Sequence, residues 1–218
     1  MIRYERRVKY LAAGLSGLAG FVDAVGFLNL GGYFVSFMSG NTTRLAVGIA
    51  KGTEPALIAG GLITTFVIGV MLGTFAGHHA GRHRATAVLI LVSALLASAA
   101  SLGASGHFTL AAIAMALAMG AENAIFASGS EIYIGLTYMT GTLVKMGQHL
   151  AGAALGGKSF AWWPYFLLWL GLASGAVAGA AAYPYLKLHS LWIASAAALF
   201  FALLARQIDL RPVPAVSD

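Results

Sequence analysis

Two short stretches hold the residues whose types and spacing could bind a solute. Residues 38–44 read MSGNTTR and residues 139–145 read MTGTLVK, so each has a hydroxyl residue, then a glycine and, four positions later, a cation. A hydroxyl at a helix start can accept hydrogen bonds from free backbone N–H groups, and a glycine beside it leaves those groups accessible. Because the N-terminal end of a helix is partially positive, two such starts favour a small anionic or polar solute.

The predicted binding set covers both stretches and the turn that follows the second. It comprises Ser39, Gly40, Asn41, Thr42, Arg44, Thr140, Gly141, Thr142, Lys145, Gln148 and His149. Arg44 and Lys145 would add a full positive charge to each helix start. Gln148 and His149 follow only the second start, so the two half-sites are unequal. The alternative is structural: the hydroxyls only cap buried helix ends, and the cations extend to lipid headgroups.

Asp23 lies deep within the first apolar run, where insertion of a carboxylate costs about 2.5 to 3.5 kcal/mol at a helix centre. Three interpretations stay open: an ion pair with Arg44, a proton-coupling carboxyl group, or a clamp hydrogen-bonded to a loop backbone. Its repeat counterpart Asn123 cannot titrate, but the adjacent Glu122 can. We therefore predict that Asp23, Glu122 and Asn123 serve coupling or gating.

The composition places the chain in a membrane. Of 218 residues, 59% are hydrophobic and 9% are charged, and the mean hydropathy is +0.83, whereas soluble domains carry about a quarter charged residues. The net charge of +6 comes from cations at the ends of apolar runs, which indicates topology signals and not a nucleic-acid surface. The expected partners are the lipid bilayer and a small solute.

Catalytic signatures are missing from the sequence. It has no cysteine, which excludes disulfides and thiolate chemistry. No phosphate-binding glycine loop, catalytic triad or metal-ligand array is present, so we expect no cofactor, no metal and no enzyme activity. Asp23 with His149 is the one pair worth testing for an intramembrane enzyme.

Apolar runs of spanning length predict six transmembrane helices. They cover residues 8–31, 55–77, 85–103, 108–127, 161–183 and 191–205. Residues 33–50 and 132–157 carry polar groups in their middles, which is costly in lipid, so we predict two re-entrant or broken segments. The helical part after Ser39 would be about 18 Å long, too short to cross.

The two halves of the chain match at a separation near one hundred residues. Gly20 and Asp23 pair with Gly120 and Asn123, and the glycines at 69, 73 and 77 pair with those at 171, 175 and 179. We predict one integral membrane domain, 1–218, with repeats of about 8–104 and 108–206. Three spans per half would insert the halves in opposite directions.

The predicted fold is therefore an all-α membrane protein with a three-plus-three inverted repeat and a re-entrant helix in each half. Basic residues at the N-terminal tail, at 78–84, near 145–158 and in the C-terminal tail favour cytoplasmic termini in the bacterial inner membrane. In transporters of this design, broken helices from both halves meet at a midplane site.

Residues 20–27 (GFVDAVGF), then Phe34 and residues 37–42 (FMSGNT), resemble the YoaK-like family of small bacterial polytopic membrane proteins. The family usually has threonine where this chain has Ser39, and the hydroxyl is retained. The resemblance covers nearly the whole chain. It implies a multi-span inner-membrane protein of this size and leaves the activity unassigned.

Two functions are compatible with these features. The first is a small secondary transporter or channel-like permease for a small anionic or polar solute, proton-coupled through Asp23. The alternative is a non-transport scaffold or accessory subunit whose glycine-lined helices serve assembly. Homo-oligomers would then form through the glycine-rich helix faces.

Overall fold

The computed structural model describes residues 6–52, 54–128, 131–132 and 135–208. Within them the chain forms eight α-helices: α1 (Arg6–Asn29), α2 (Met38–Lys51), α3 (Pro55–Ala80), α4 (Arg84–Ala104), α5 (Phe108–Glu122), α6 (Met139–Ala154), α7 (Trp163–Leu186) and α8 (Leu191–Ala205). A two-residue antiparallel pair, β1 (Ala127–Ser128) and β2 (Glu131–Ile132), lies between α5 and α6. Short 3₁₀ turns, Gly81–His83 and Lys187–Ser190, connect α3 to α4 and α7 to α8.

Three helical stretches of the described chain are long and apolar enough to cross a membrane: Arg6–Asn29, Pro55–Ala104 and Trp163–Ala205. The second stretch contains α3 and α4, and the third contains α7 and α8. Phe108–Glu122 is a shorter apolar helix. Outward-facing aliphatic side chains such as Leu57, which is 80% exposed, and Val177, which is 70% exposed, are suited to contact with lipid. The protein is thus a helical membrane protein.

The predicted end of the fourth span was wrong. The sequence predicted a helix over 108–127, but α5 ends at Glu122 and the chain turns through residues 123–126. Ala124 N donates to Ala121 O and Ile125 N to Glu122 O, which are the tight i to i−3 bonds of a turn. The apolar run continues through this turn because residues 124–126 are themselves buried.

Close backbone contact joins α1 to α7. A Cβ added at Gly171 would meet the carbonyl oxygen of Ala13, one at Gly175 that of Gly17, and one at Gly179 that of Phe21. Residue numbers rise together along both helices, so α1 and α7 are parallel. Only glycine permits this separation over three successive turns.

The same packing joins α3 to α5. A Cβ at Gly69 would meet the backbone of Leu117, and one at Gly73 the backbone of Ala121, so these helices are also parallel. The first helix of each half therefore packs on the third helix of the other half. Five of the glycines that suggested homo-oligomerisation therefore pack against helices of the same chain: Gly69, Gly73, Gly171, Gly175 and Gly179.

Antiparallel contact joins α4 to α8. Ser93 Oγ donates to Ser195 O at 2.9 Å and Ser195 Oγ to Ser93 O at 2.9 Å. Leu188, just before α8, contacts Gly103 at the end of α4. These reciprocal hydrogen bonds cross between the halves within a buried layer.

Gly175→Ala should destabilise the protein because the added methyl group would overlap the Gly17 carbonyl oxygen. We expect a loss of about 1 to 3 kcal/mol, typical of overpacking, seen as a lower melting temperature in detergent. Gly61→Ala is the matched control, since nothing lies within 4 Å of its Cβ position. Equal melting temperatures for the two variants would contradict the packing described here.

Candidate functional site

The loop after α1 folds back along that helix. Val35 N and Ser36 N donate to Asp23 Oδ1 at 2.9 and 2.7 Å. Asp23 precedes the end of α1 by six residues, or about 9 Å along the axis, so the loop descends by that distance before α2 begins. The next helix then returns antiparallel to α3, since Gly48 approaches Ala56 and Leu45 approaches Gly60. The loop and α2 together form a helical hairpin.

Asp23 is the clamp of this hairpin. Its hydrogen bonds to two loop N–H groups match the third interpretation above. An ion pair with Arg44 is not formed, because the Arg44 guanidinium lies over the Tyr33 ring at 5.0 Å instead. The ion-pair prediction was therefore wrong.

Asn41 is a second clamp within the hairpin. It is fully buried, its Oδ1 accepts from Phe34 N at 3.1 Å, and its Nδ2 donates to Phe34 O at 2.6 Å. The backbone N–H and C=O groups of Phe34 are thus both hydrogen-bonded away from water. Asn41 was predicted to bind solute, but its side chain is hydrogen-bonded to the loop backbone. Thr42 Oγ1 donates to Met38 O at 2.8 Å, a hydrogen bond within α2 itself.

The second hairpin is held by matching positions. Thr137 Oγ1 donates to Asn123 Oδ1 at 3.1 Å, so Asn123 contacts the second loop where Asp23 contacts the first. Ser16 on α1 adds a bond across the halves, with its Oγ donating to Leu136 O at 3.1 Å. Sequence reasoning missed Ser16. The available signal was its spacing, seven residues or two helical turns before Asp23, which places both on one face.

The starts of α2 and α6 border one cavity of about 280 Å³. The first half contributes Ser36, Phe37, Met38, Ser39 and Phe66, and the second contributes Thr137, Tyr138, Met139, Thr140 and Gly141. Of the predicted binding residues, Ser39, Thr140 and Gly141 meet here. The lining combines four hydroxyl residues with aromatic rings and methionines, and it carries no formal charge.

The hydroxyl residues are not N-caps. The N-cap positions are Phe37 and Tyr138, with no side-chain cap hydrogen bond, and the helices begin at Met38 and Met139. Ser39 and Thr140 are the second residues of their helices, so the capping prediction was wrong by two positions. The reason is the turn before each helix, in which Met38 N donates to Ser36 O and Met139 N to Thr137 O.

The two helix starts differ in access. At Gly40 a Cβ would lie 2.6 Å from the Phe37 ring and 3.0 Å from the Phe34 ring, so aromatic rings cover the α2 start. At Gly141 nothing lies within 4 Å of the Cβ position. The start of α6 is therefore the open one.

Eight of the eleven predicted binding residues lie outside the cavity lining: Gly40, Asn41, Thr42, Arg44, Thr142, Lys145, Gln148 and His149. Thr142 is buried, and its Oγ1 donates to Tyr138 O at 3.1 Å. Arg44 packs on Tyr33, and the His149 ring stacks on Tyr165 with centroids 5.2 Å apart. Lys145 and Gln148 are exposed on α6. Asp23 and His149 do not converge either, because the α1–α7 register separates their levels by roughly 24 Å along α7.

Glu122 has an unusual environment. It is fully buried at the end of α5, and neither carboxyl oxygen has a hydrogen-bond partner within the described chain. Arg84 Nε donates to Ala124 O at 2.8 Å, while its buried Nη2 likewise lacks a partner among the described residues. A buried carboxyl group without donors is costly and is typical of a functional position.

Together, the apolar helices and the two helical hairpins define an α-helical membrane protein in which the starts of α2 and α6 border one cavity. The chain belongs to the family described as "Protein of unknown function (DUF1275)", whose profile matches residues 11–204. It is 39% identical over 206 residues, 92% of this chain and 87% of the relative, to the UPF0700 transmembrane protein RA0705 of Rhizobium meliloti (strain 1021). No solved structure matches. The resemblance to YoaK-like membrane proteins is confirmed.

Asp23→Asn should retain the clamp, because its amide oxygen still accepts from the loop N–H groups. Asp23→Ala should lower stability by about 2 kcal/mol, since it leaves two N–H groups without their acceptor. Thermal unfolding in detergent compares the two variants. A melting temperature of Asp23→Ala equal to that of the wild type would refute the clamp role.

Proposed function

We propose that the two halves are inserted in opposite directions, as a three-plus-three inverted repeat with six spans. Helix directions support this. We call the direction from the first to the last residue of α1 up. Because α7 is parallel to α1, it also points up. Tyr183 OH donates to Asn29 Oδ1, and Leu188 contacts Gly103, so the ends of α1, α7 and α4 share one side. The antiparallel neighbour α8 then points down.

The remaining helices follow from the loops. The connection between α4 and α5 is residues 105–107 alone, and the two helices pack together, so α5 points down and its parallel partner α3 does too. Each long helix of the first half then opposes its counterpart: α1 against α5, α3 against α7, α4 against α8. This supports inversion of the repeats.

We propose the bacterial inner membrane, with both termini cytoplasmic. Arg6, Arg82 and Lys158 lie at the side where α1 begins, whereas Lys51 and Lys187 lie at the other. The side with more basic residues is the cytoplasmic side.

Single-cysteine labelling tests this topology in the naturally cysteine-free chain. In intact cells an impermeant maleimide should label Ser105→Cys and should leave His83→Cys and Lys158→Cys unlabelled until the cells are opened. Residues 83 and 158 belong to different halves, so labelling of one alone from outside would contradict the inverted arrangement.

The proposed activity is that of a small secondary transporter or channel-like permease for a small anionic or polar solute, without enzymatic activity. One observation carries it: the starts of α2 and α6 border the same cavity. The open start of α6 presents backbone N–H groups and the positive end of its helix, and the hydroxyl groups of Ser39 and Thr140 add donors. Arg44 and Lys145, about 8 Å further along each helix, would raise the local potential without entering the cavity.

Proton coupling is the finer part of the proposal. Asp23 already accepts two backbone hydrogen bonds as a clamp. Glu122 has no such donors within the described chain and lies beside Asn123, which holds the second loop. We therefore assign the proton-carrying role to Glu122 and the positioning role to Asp23 and Asn123.

Gly141→Leu should abolish solute flux with little change in melting temperature. The side chain would extend from the open α6 start into the cavity, where nothing lies within 4 Å. Gly147→Leu is the matched control, because Gly147 is equally unobstructed on the same helix but does not line the cavity.

The measurement uses proteoliposomes and a panel of small monovalent anions and small neutral polar solutes. Potential-driven anion uptake and osmotic swelling report the two classes. Flux at least tenfold above empty liposomes is expected for wild type and Gly147→Leu. A wild type inert toward the whole panel, or equal flux through Gly141→Leu, would overturn the proposal.

A further inference from the structure

The cavity between the starts of α2 and α6 has a large apolar surface. Five bulky side chains line it, three with aromatic rings and two with thioether groups: Phe37, Phe66, Tyr138, Met38 and Met139. Smaller hydroxyl residues and a glycine complete the lining, which includes no acidic or basic residue of the described chain. At about 280 Å³ the cavity has about nine times the roughly 30 Å³ share of one water molecule. It therefore has room for a small organic solute and an apolar surface for its organic part.

The polar part of this lining is the first turn of α6. Thr140 N and Gly141 N donate to no acceptor within the described chain, because the hydrogen bonds of this turn start from Met139 N and Thr142 N instead. Nothing lies within 4 Å of a Cβ position at Gly141, so a ligand can approach this turn. Two neighbouring free donors at the positive end of a helix match the two oxygens of a carboxylate group.

The start of α2 has no matching pair of free donors. Gly40 N and Asn41 N both donate to Phe37 O, and a Cβ at Gly40 would lie 2.6 Å from the Phe37 ring. The first half of the chain therefore supplies mainly the apolar surface of Phe37, Met38 and Phe66. The free backbone donors come from the second half.

We propose that the solute of this cavity is a small monocarboxylate, an inference that rests on the proposed permease function. Its carboxylate accepts from Thr140 N and Gly141 N, and its short alkyl or aryl group lies against Phe66 and Met139. A single negative charge fits because the helix end supplies only about half a positive charge and no cation lines the cavity. An inorganic anion would leave the apolar surface without a contact.

The first test is calorimetric titration of the full chain in detergent with formate, acetate, propionate and butyrate. Each methylene group buried in the cavity should strengthen binding roughly fourfold, so butyrate should bind roughly sixtyfold more tightly than formate. Propionamide lacks the charge and should bind roughly tenfold or more weakly than propionate. Succinate should bind roughly tenfold or more weakly than butyrate, because its second carboxylate would be buried against apolar side chains.

Met139→Gln tests the apolar surface with little change in side-chain size. It should weaken butyrate binding roughly fourfold or more and change formate binding by less than about twofold. Met146→Gln is the matched control, because Met146 lies on the same helix and does not line the cavity. An unchanged ratio of butyrate to formate affinity in Met139→Gln would overturn the proposal, and so would propionamide binding as tightly as propionate.

Flux measurements in proteoliposomes separate this inference from the proposed function. Equal affinities along the wild-type series, together with flux of inorganic anions, would overturn the monocarboxylate assignment and leave the permease in place. A steep affinity series in a protein that conducts no solute would support the monocarboxylate site and overturn transport.

Discussion

A chain that leaves its helix inside a bilayer must pair every backbone N–H and C=O within the protein. The proposed re-entrant hairpins would place two loops in this situation, and α1 supplies a partner for each loop. Asp23 accepts from Val35 N and Ser36 N of the first loop, and Ser16 donates to Leu136 O of the second. The two side chains are two turns apart on one face, so one helix holds both loop tips about 10 Å apart along its axis.

Close helix packing makes this sharing feasible. Since α1 packs on α7 and α3 packs on α5 through glycine, each half is completed by the other. The helices that carry the clamp residues pack against helices of the other half. This packing brings the two loop tips together. A lipid-exposed half would have unpaired loop groups and an open glycine face, so neither half is expected to be stable alone.

Much of this arrangement could be predicted from residue types. Polar groups inside apolar runs predicted broken segments over 33–50 and 132–157, and the helices described there, α2 and α6, are short. The interval 191–205 coincided with α8. Other details depend on contacts that no local pattern records. The helix starts at Met38 and Met139 depend on turns closed by the preceding residues, and the end of α5 depends on a buried turn that is as apolar as the helix.

Side-chain roles were harder to predict than elements. Asn41 was predicted to bind solute, but both polar atoms of its side chain bond to the backbone of Phe34. Arg44 was assigned by its spacing from the helix start, but the Tyr33 ring determines its position. Spacing fixes which face a residue occupies, whereas the partner on that face comes from elsewhere in the chain.

The hydrogen bonds between Ser93 and Ser195 have an evolutionary consequence. The two serines are 102 residues apart, the same interval that separates Gly69 from Gly171, so they occupy one position of the repeat. In the proposed inverted repeat, a position that bonds to its own counterpart lies on the symmetry axis that relates the two copies. In an ancestor made of two separate half-length polypeptides, a single serine would have supplied both bonds. Gene duplication would then have kept the two hydrogen bonds without any new residue.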